Sequence, residues 1–338
     1  MKRIGNLYTK ICDMKNVELA HERGRRRKTW QDSIKRVDKN REMYLKQVQE
    51  MLFYSAYKTS PYKIKYVYEP KPRKIYVLPY YPDRIVHHAG MNILTPIWDS
   101  YFIEDSYACR VGKGQHKASS RCMQFVMRNK YCLQCDISKF FPSIDHAMIM
   151  DLIEHKIKCQ RTLDYMNEII TSIGGEKNVP IGNHPSSWLG NLCMNEVDQW
   201  LKHTYHVRDY IRYCDDFLLF SNDKEFLNSL IPEIIGFTGE RIKLRLSKCT
   251  LYHTSQGVDF LGYRHFPSGK ILLRKSTAKR IKGKIKALPW MLDHGKINKE
   301  GALSMVASFK GWMKWANTHN LSLSLEMNKL EELISNHA

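Results

Sequence analysis

Apolar and polar residues follow two different periods along the chain, and these periods separate helices from strands. Up to about residue 55 the apolar positions recur at helical spacing, as in Tyr44, Val48, Met51 and Leu52. From about Pro61 apolar and polar residues alternate on both sides of the proline-rich segment 69–73, which predicts a two-stranded hairpin. A helical period returns over 84–98, and we expect that helix to end at Pro96.

The middle of the chain carries the clearest sequence of elements. The pattern predicts a strand at 131–137, a turn at 140–143, a helix from Ser143 or Asp145 and a second amphipathic helix after Pro185. Strands at 210–213 and 217–220, a helix of about 223–237 and a strand near 242–246 complete the set. This order predicts an α+β fold with a split βαβ antiparallel sheet. A hairpin over 258–273, a basic helix and a helical segment over 302–330 follow.

The charge balance points to a polyanionic partner. The 338 residues contain 54 Lys and Arg against 34 Asp and Glu, a net charge of +20. One basic cluster spans 23–28 and includes Arg25, Arg26 and Arg27. The other contains lysines spaced so that a helix places them in one stripe, namely Lys275, Lys279, Lys282 and Lys286. Such a stripe can follow a phosphate backbone, so nucleic acid is the leading partner class, with a merely solvated basic surface as the alternative.

Other signals limit the cellular setting. No apolar run reaches the roughly 20 residues of a membrane helix, and no signal-peptide pattern follows the N-terminus, so we expect no membrane partner. Nine cysteines in a long chain without a visible signal peptide fit a reducing cytoplasm better than a disulfide framework. Cys132 and Cys135 would face opposite sides of a strand, which argues against zinc. The pairs His87–His88 and Trp312/Trp315 are interpreted as packing residues.

Three acidic residues carry the candidate chemistry. Asp215 and Asp216 stand between two apolar strands, where burial of adjacent carboxylates is costly unless a cation compensates. An exposed turn is the alternative interpretation of this pair. Asp136 ends another apolar strand that can lie beside them, and three carboxylates can hold two metal ions for in-line phosphoryl displacement. The pattern predicts a nucleotidyl transferase, or a nuclease if water is the nucleophile.

Several motifs recur in the order found in reverse transcriptases. They are Phe-Phe-Pro-Ser-Ile-Asp after Asp136, Pro-Ile-Gly-Asn-x-x-Ser at 180–186, Tyr-Cys-Asp-Asp at 213–216 and Phe-Leu-Gly-Tyr at 260–263. Nearly the whole chain resembles the reverse transcriptases of diversity-generating retroelements of phages and bacteria. Further blocks that carry the resemblance lie at 68–73, 83–88, 272–276 and 315–321.

The resemblance implies a right-hand polymerase with fingers, palm and a helical thumb. It divides the chain into a basic N-terminal helical extension (1–60), fingers (61–130), a palm (131–262) with a fingers insertion at about 155–185, and a thumb (263–338). It implies two Mg²⁺ ions on Asp136, Asp215 and Asp216, with the Ile137 carbonyl contributing. Lys248 stands where related polymerases often have a lysine that protonates pyrophosphate.

The resemblance also implies the nucleotide pocket. Lys71 and Arg73 would hold the incoming dNTP triphosphate, and Phe141 would exclude a ribose 2′-hydroxyl, with Phe140 as its core neighbour. Gly182 would let the backbone approach the nascent base pair. Ile181 replaces the glutamine of many reverse transcriptases, and in the family this correlates with misincorporation opposite template adenines.

Nucleic-acid contacts are assigned by the same resemblance and by the charge pattern. Gly262 and Tyr263 join the arginine cluster and the lysine stripe as the residues that would contact nucleic acid. Two positions depart from the family: Ser187 stands where Gln is usual, and Cys214 replaces the commoner Met, Val or Ala. Ser187 leaves the fidelity contact of that Gln open, whereas the small, apolar Cys214 should preserve activity.

The implied partners are a template RNA, the non-coding RNA of the retroelement, a DNA or RNA primer, dNTPs and a small basic oligomeric accessory protein, in the cytoplasm of a bacterial host. We expect no RNase H or endonuclease domain after the thumb. A retron-type, group II intron-type or phage-defence-type reverse transcriptase is the first alternative. A non-catalytic RNA-binding protein on a decayed polymerase fold is the second.

Overall fold

Five helices form the N-terminal layer of the protein. The computed structural model describes residues 3–68 and 72–336. The helices of this layer are α1 (Tyr8–Cys12), α2 (Met14–Arg25), α3 (Asp32–Lys39), α4 (Arg41–Phe53) and α5 (Ile85–Asp99). The side chain of Asp13 caps α2 by accepting a hydrogen bond from the Lys15 amide. Asn16 of α2 donates to the carbonyl oxygen of Ala89 at 3.0 Å, and this bond ties α2 to α5.

Helix α5 runs further than its sequence predicts. It continues through Pro96 to Asp99, so the expected end at Pro96 is wrong. Proline removes one backbone hydrogen bond, but Trp98 in the last turn is fully buried and its packing holds that turn in place. A π-helical turn at Tyr80–Arg84 precedes α5, and the next helix along the chain after α5 is α6 (Gln115–Arg128).

The predicted hairpin is confirmed. Strands β1 (Lys63–Val67) and β2 (Arg73–Val77) pair antiparallel, with Lys63 opposite Val77 and Val67 opposite Arg73. Residues 69–71 come between the two strands in the sequence, and they, including Lys71, lie outside the described residues.

The central sheet has the predicted split βαβ layout. Its strands are β3 (Tyr131–Ile137), β4 (Asp209–Tyr213), β5 (Asp216–Ser221) and β6 (Leu246–His253), in the order β4-β5-β3-β6 with antiparallel neighbours. The helices along this part of the chain are α7 (Phe140–Ser143), α8 (His146–Glu154), α9 (Gln160–Thr171), α10 (Ser186–His203) and α11 (Lys224–Glu240). The sheet separates two apolar clusters: Leu133 and Cys135 pack into one, and Cys132 packs into the other. This confirms that Cys132 and Cys135 face opposite sides.

Two local predictions in this region are wrong. Segment 140–143 is the short helix α7 rather than a turn. The expected strand at 242–246 is a loop, and β6 begins only at Leu246. Ile242 and Leu244 are both buried, which imitates strand alternation, but Lys243 between them has a φ of 54° and the Leu244 amide bonds to the Thr238 carbonyl at 2.8 Å.

The C-terminal region combines a small sheet with four helices. Instead of one hairpin over 258–273 there are three short strands, β7 (Val258–Phe260), β8 (Tyr263–His265) and β9 (Ile271–Leu273). The helices are α12 (Lys275–Asp293), α13 (Lys299–Met313), α14 (His319–Ser324) and α15 (Met327–Asn336), so the helical segment predicted for 302–330 is interrupted. They share a core that includes Ile281, Val306 and Ile334. Within the described ranges, none of the helices has the length and apolarity that crossing a bilayer requires.

Candidate active site

Adjacent strands bring the three acidic residues together. Tyr213 pairs with Asp216, so Cys214 and Asp215 form the two-residue turn that joins β4 to β5. Cys214 has a φ of 60°, as the first central residue of such a hairpin turn often requires. Cys135 on β3 lies opposite Phe217 on β5, so Asp136 follows directly beside this turn. The structure thus places Asp136 next to Asp215 and Asp216.

Burial and mutual repulsion disfavour negative charge on two of these carboxyls. Burial raises the pKa of Asp215, and the charge of Asp136 raises it further. Burial also raises the pKa of Asp216 to about 7; the charges of Asp136 and Asp215 act in the same direction, and a hydrogen bond from Gln134 opposes them. Without a cation the site does not readily hold all three negative charges.

The donor chemistry of this cluster fits a hard divalent cation. Carboxylate and carbonyl oxygens are the preferred ligands of Mg²⁺, and a cation would compensate the raised pKa values of Asp215 and Asp216. Among the residues that the structure describes, no three acidic, His or Cys side chains already form a metal-holding group. Asp136 Oδ2 instead accepts a hydrogen bond from Ser247 Oγ at 2.7 Å, and Asp216 Oδ1 accepts one from Gln134 Nε2 at 3.3 Å.

A β-bulge shapes the end of β3. Asp136 pairs with Lys248 and Ile137 pairs with Leu246, which leaves Ser247 as the extra residue of β6. Bulges at strand ends redirect side chains beside active sites, and here the bulged Ser247 is the residue that bonds Asp136. The Ile137 side chain is buried on the core side of β3.

Gln134 is a site residue that the sequence interpretation missed. Its side chain is buried, and its Oε1 accepts hydrogen bonds from Lys248 Nζ at 2.6 Å and from Tyr252 at 3.1 Å. Its Nε2 donates to Asp216, as described above. The predicted catalytic Lys248 is therefore tied to Gln134. A signal was available, because a glutamine two residues before Asp136 shares its face of an otherwise apolar strand.

A buried ion pair beneath the turn was also missed. Arg212 on β4 and Asp198 on α10 are both fully buried and form a forked pair, with the closest N–O distance at 2.6 Å. Arg212 also donates to Asn191 Oδ1 and Ser106 Oγ, at 3.0 Å each. Arg212 stands directly before Tyr213, so this network lies beneath the acidic turn.

The fingers hairpin contacts the segment that contains Ile181. The Tyr76 amide donates to the Ile181 carbonyl at 2.8 Å. Gly182 has a φ of 117°, and a Cβ there would lie 2.5 Å from the Tyr76 carbonyl oxygen, so the hairpin backbone itself requires this glycine. Burial and the charge of Asp136 raise the pKa of Asp215, and the charge of Arg73 partly opposes this rise, so Arg73 lies within electrostatic range of the acidic cluster.

The two phenylalanines of α7 differ in exposure. Phe140 is buried, and Phe141 is half-buried with its ring centroid 5.1 Å from that of Phe140. Both rings lie against Gly190 of α10, where a Cβ would come within 2.9 Å of Phe140 and 3.2 Å of Phe141. The expected core position of Phe140 is confirmed, and Phe141 keeps a partly open ring.

Comparison with protein families now identifies the chain. Residues 58–265, more than half of the 338, match the family described as reverse transcriptase (RNA-dependent DNA polymerase). The chain belongs to the reverse transcriptase family. This membership, together with the sheet order, confirms the right-hand polymerase fold and the expected enzyme class of RNA-directed DNA polymerases.

Two relatives of this reverse transcriptase share about a quarter or less of its sequence. Protein YkfC of Escherichia coli is 26% identical over 58% of this chain and 67% of its own length. The group II intron-encoded protein LtrA of Lactococcus lactis is 21% identical over 72% of this chain, which spans about half (52%) of LtrA.

Solved structures of telomerase resemble the fold weakly. Telomerase from Candida albicans, in complex with a fragment of telomeric RNA, matches with a TM-score of 0.46 and 12% identity over 86% of this chain and 64% of its own. A truncated apo telomerase from Candida tropicalis matches with a TM-score of 0.49 and 11% sequence identity, over 68% of this chain and 59% of its own. These scores lie below 0.5, so the fold assignment rests on the family match and the sheet order.

The predicted nucleic-acid contacts of the reverse transcriptase fall into two groups. The lysines of the α12 stripe are all exposed, opposite the buried Ile281 and Ile285. Arg26 and Arg27 are exposed as well, whereas Arg25 is half-buried and bonds Asp38 at 2.7 Å. The exposed side chains are available to a polyanion, and Arg25 is already paired within the protein.

Tyr263 does not belong to the nucleic-acid surface. Its side chain is fully buried, stacks on Trp312 with ring centroids 5.4 Å apart, and donates to the Trp312 carbonyl at 3.1 Å. A Cβ on Gly262 would lie 2.8 Å from the same tryptophan ring. The predicted contact through the Tyr263 side chain is wrong, because packing against α13 occupies that ring.

Proposed function

We propose that this reverse transcriptase belongs to a diversity-generating retroelement and copies a template RNA into cDNA with substitutions opposite adenines. The half-buried cluster of Asp136, Asp215 and Asp216 carries the catalytic part of this proposal. The aliphatic Ile181 before Gly182 supports the mutagenic part, because an isoleucine offers no hydrogen bond with which to check the geometry of the nascent base pair.

In this proposal the chain's own residues bind and orient the reactants. Asp136, Asp215, Asp216 and the Ile137 carbonyl would hold two divalent ions, for which Mg²⁺ is our choice. When bound, such ions stabilise the attacking and leaving oxygens of a phosphoryl displacement. Arg73, with Lys71, would bind the triphosphate of a dNTP, and its fork geometry suits phosphate oxygens. The half-buried ring of Phe141 would favour dNTPs over NTPs.

The proposed domain division assigns the remaining contacts. Residues 1–60 form a basic extension, 61–130 the fingers, 131–262 the palm with a fingers insertion at about 155–185, and 263–338 the thumb. Lys275, Lys279, Lys282 and Lys286 would contact the template RNA and primer from the thumb, while Arg26 and Arg27 would bind structured RNA. We also propose a small basic oligomeric accessory protein as a partner and a bacterial cytoplasm as the location.

A group II intron-type reverse transcriptase is the second candidate. The similarity to the group II intron-encoded protein LtrA favours it, since that similarity extends over 72% of this chain. Such an enzyme would share the acidic cluster but would not place its errors selectively opposite adenine.

Sequencing of cDNA distinguishes the two candidates. The protein would extend a primer on an RNA containing all four bases, with dNTPs and Mg²⁺, with and without the accessory protein. We expect substitutions concentrated opposite template adenines. Errors spread evenly over the four bases would favour the intron-type enzyme. An Asp215→Ala, Asp216→Ala double variant is the control, and synthesis by it equal to wild type would refute the polymerase assignment.

A further inference from the structure

A cavity of about 590 Å³ lies beside the fingers hairpin, outside the acidic cluster. The loop after α2, the base of the hairpin and the start of α5 line it. Three of its lining residues are cationic, Lys28, Lys63 and Arg84, and none of the lining residues among those described is acidic. Its volume lies within the range of small-molecule sites, and its charge favours an anion.

Arg84 is the least exposed of the three cations that line this cavity. It is half-buried, and in the described part of the chain no hydrogen bond or ion pair engages its guanidinium. Burial lowers the pKa of Arg84, and the charge of Asp83 only partly offsets this. One carboxylate oxygen of Asp83 already accepts hydrogen bonds from Tyr57 and from the Ser60 amide, at 2.8 and 2.9 Å. An anion in the cavity would provide the acceptors that the protein does not supply to Arg84.

Aromatic, apolar and uncharged polar groups form the rest of the wall. The His88 ring lines the cavity and stacks on His184 with ring centroids 4.2 Å apart. Burial, followed by nearby positive charges that include Arg84, lowers the pKa of His88 to about 3 and that of His184 to about 4, so both rings are neutral at pH 7. Tyr80, Leu78 and Pro79 contribute further non-charged surface.

The cavity and the candidate nucleotide site both border the fingers hairpin. His184 follows Gly182 by two residues, and Lys63 belongs to the hairpin whose Tyr76 bonds the Ile181 carbonyl. A ligand held here would therefore lie next to the segment that contains Ile181, on the side lined by the N-terminal extension.

We propose that this cavity binds a nucleotide, with its phosphate against Arg84, Lys28 and Lys63 and its base against His88 and the apolar wall. Arginine forks match phosphate oxygens, and neutral aromatic rings accept the stacking of any base. An unpaired nucleotide of an RNA strand and a free nucleotide share this chemistry. The site is separate from catalysis, so it can be tested without dNTPs or metal.

Two probes test the proposal in EDTA: a fluorescein-labelled eight-nucleotide oligo(U) RNA and fluorescent UMP. We expect Arg84→Gln and Lys28→Gln to weaken binding of at least one probe by about ten-fold. The control, Arg36→Gln, removes the same charge from an exposed site on α3 outside the cavity and should stay within about two-fold of wild type. If the variants weaken binding of the RNA alone, the natural ligand is a nucleotide within an RNA strand. If they weaken binding of UMP, the ligand is a free nucleotide.

A photocross-link checks the location in the wild-type protein. An RNA with one 4-thiouridine, or 4-thio-UMP when that is the ligand, should cross-link to the peptide spanning 78–88. If Arg84→Gln fails to fold, the exposed Lys28→Gln and the cross-link decide. Equal weakening by Lys28→Gln and Arg36→Gln, or cross-links only elsewhere, would overturn the proposal.

Discussion

Arg212 donates a hydrogen bond from Nη1 to the carbonyl oxygen of Cys214, 2.9 Å away. Cys214 is the positive-φ residue of the acidic turn, so this bond fixes the backbone that presents Asp215. The other donors of Arg212 are taken by Asp198, Asn191 and Ser106, which are buried. Arg212 is therefore a positioning residue, because it acts on the site through the turn.

Replacing Arg212 by lysine should separate positioning from binding. Lysine keeps the charge but cannot serve four partners from one planar group, so the turn loses its support. We expect kcat for primer extension to fall by about 100-fold with KM for dNTP within about two-fold, the pattern of an interaction that matters in the transition state. Thermal unfolding should report a loss of about 3 kcal/mol from the altered buried pair.

The control for this variant is Arg208→Lys, at an exposed position just before β4. It should leave kcat and stability near wild type. A variant Arg212→Lys that loses stability but retains wild-type kcat in its folded fraction would contradict the positioning role.

His87 should contribute a pH-dependent term to stability. It is fully buried, neither ring nitrogen has a hydrogen-bond partner among the described residues, and burial lowers its pKa to about 3. The unfolded chain takes up a proton near pH 6.5 while the folded chain does not. The contribution is therefore present above about pH 6.5 and is lost as the pH falls toward 3, by at most about 1.4 kcal/mol per pH unit.

Urea unfolding of His87→Phe from pH 7.5 to 4.5 tests this term. The difference in unfolding free energy between variant and wild type should grow in favour of the variant as the pH falls. His155→Gln changes an exposed histidine and should leave the pH dependence as it is in wild type. A constant difference between His87→Phe and wild type at all pH values would contradict this term, because it would mean that folding leaves the pKa of His87 unchanged.

Gly182 should not tolerate a side chain. Alanine would place its Cβ against the Tyr76 carbonyl in a backbone conformation that L-residues avoid, so the hairpin must move away from Ile181. We expect Gly182→Ala to lower kcat/KM for dNTP by at least about ten-fold. Gly236→Ala is the control, because a Cβ there meets nothing within 4 Å on helix α11. Equal kcat/KM in the two variants would mean that the hairpin contact does not shape the nucleotide site.

The sequence predicted that Asp136, Asp215 and Asp216 lie together, because the signals for the strands that carry them are local. Strands β3, β4 and β5 are short, largely apolar runs with an acidic residue at or next to one end, so their limits were found to within about a residue. The strand order then placed Asp136 beside Asp215. Gln134 and Arg212 were missed because their roles depend on partners from other elements, Lys248 on β6 and Asp198 on α10. The nucleic-acid contact predicted for the Tyr263 side chain was wrong for a related reason, since only the folded thumb shows that Trp312 covers this ring.

Ile181 gives the most direct test of fidelity. Its side chain is half-buried beside the hairpin, and glutamine there would restore a hydrogen-bonding group of the kind found in many reverse transcriptases. We expect Ile181→Gln to reduce substitutions opposite template adenines by about ten-fold, since a site that forms hydrogen bonds discriminates geometry more strongly than an apolar one. Ile181→Val keeps the aliphatic character and should retain the adenine errors. Sequencing of cDNA from one RNA template measures both variants. Persistent adenine errors in Ile181→Gln would assign the loss of fidelity to another residue of the nucleotide site.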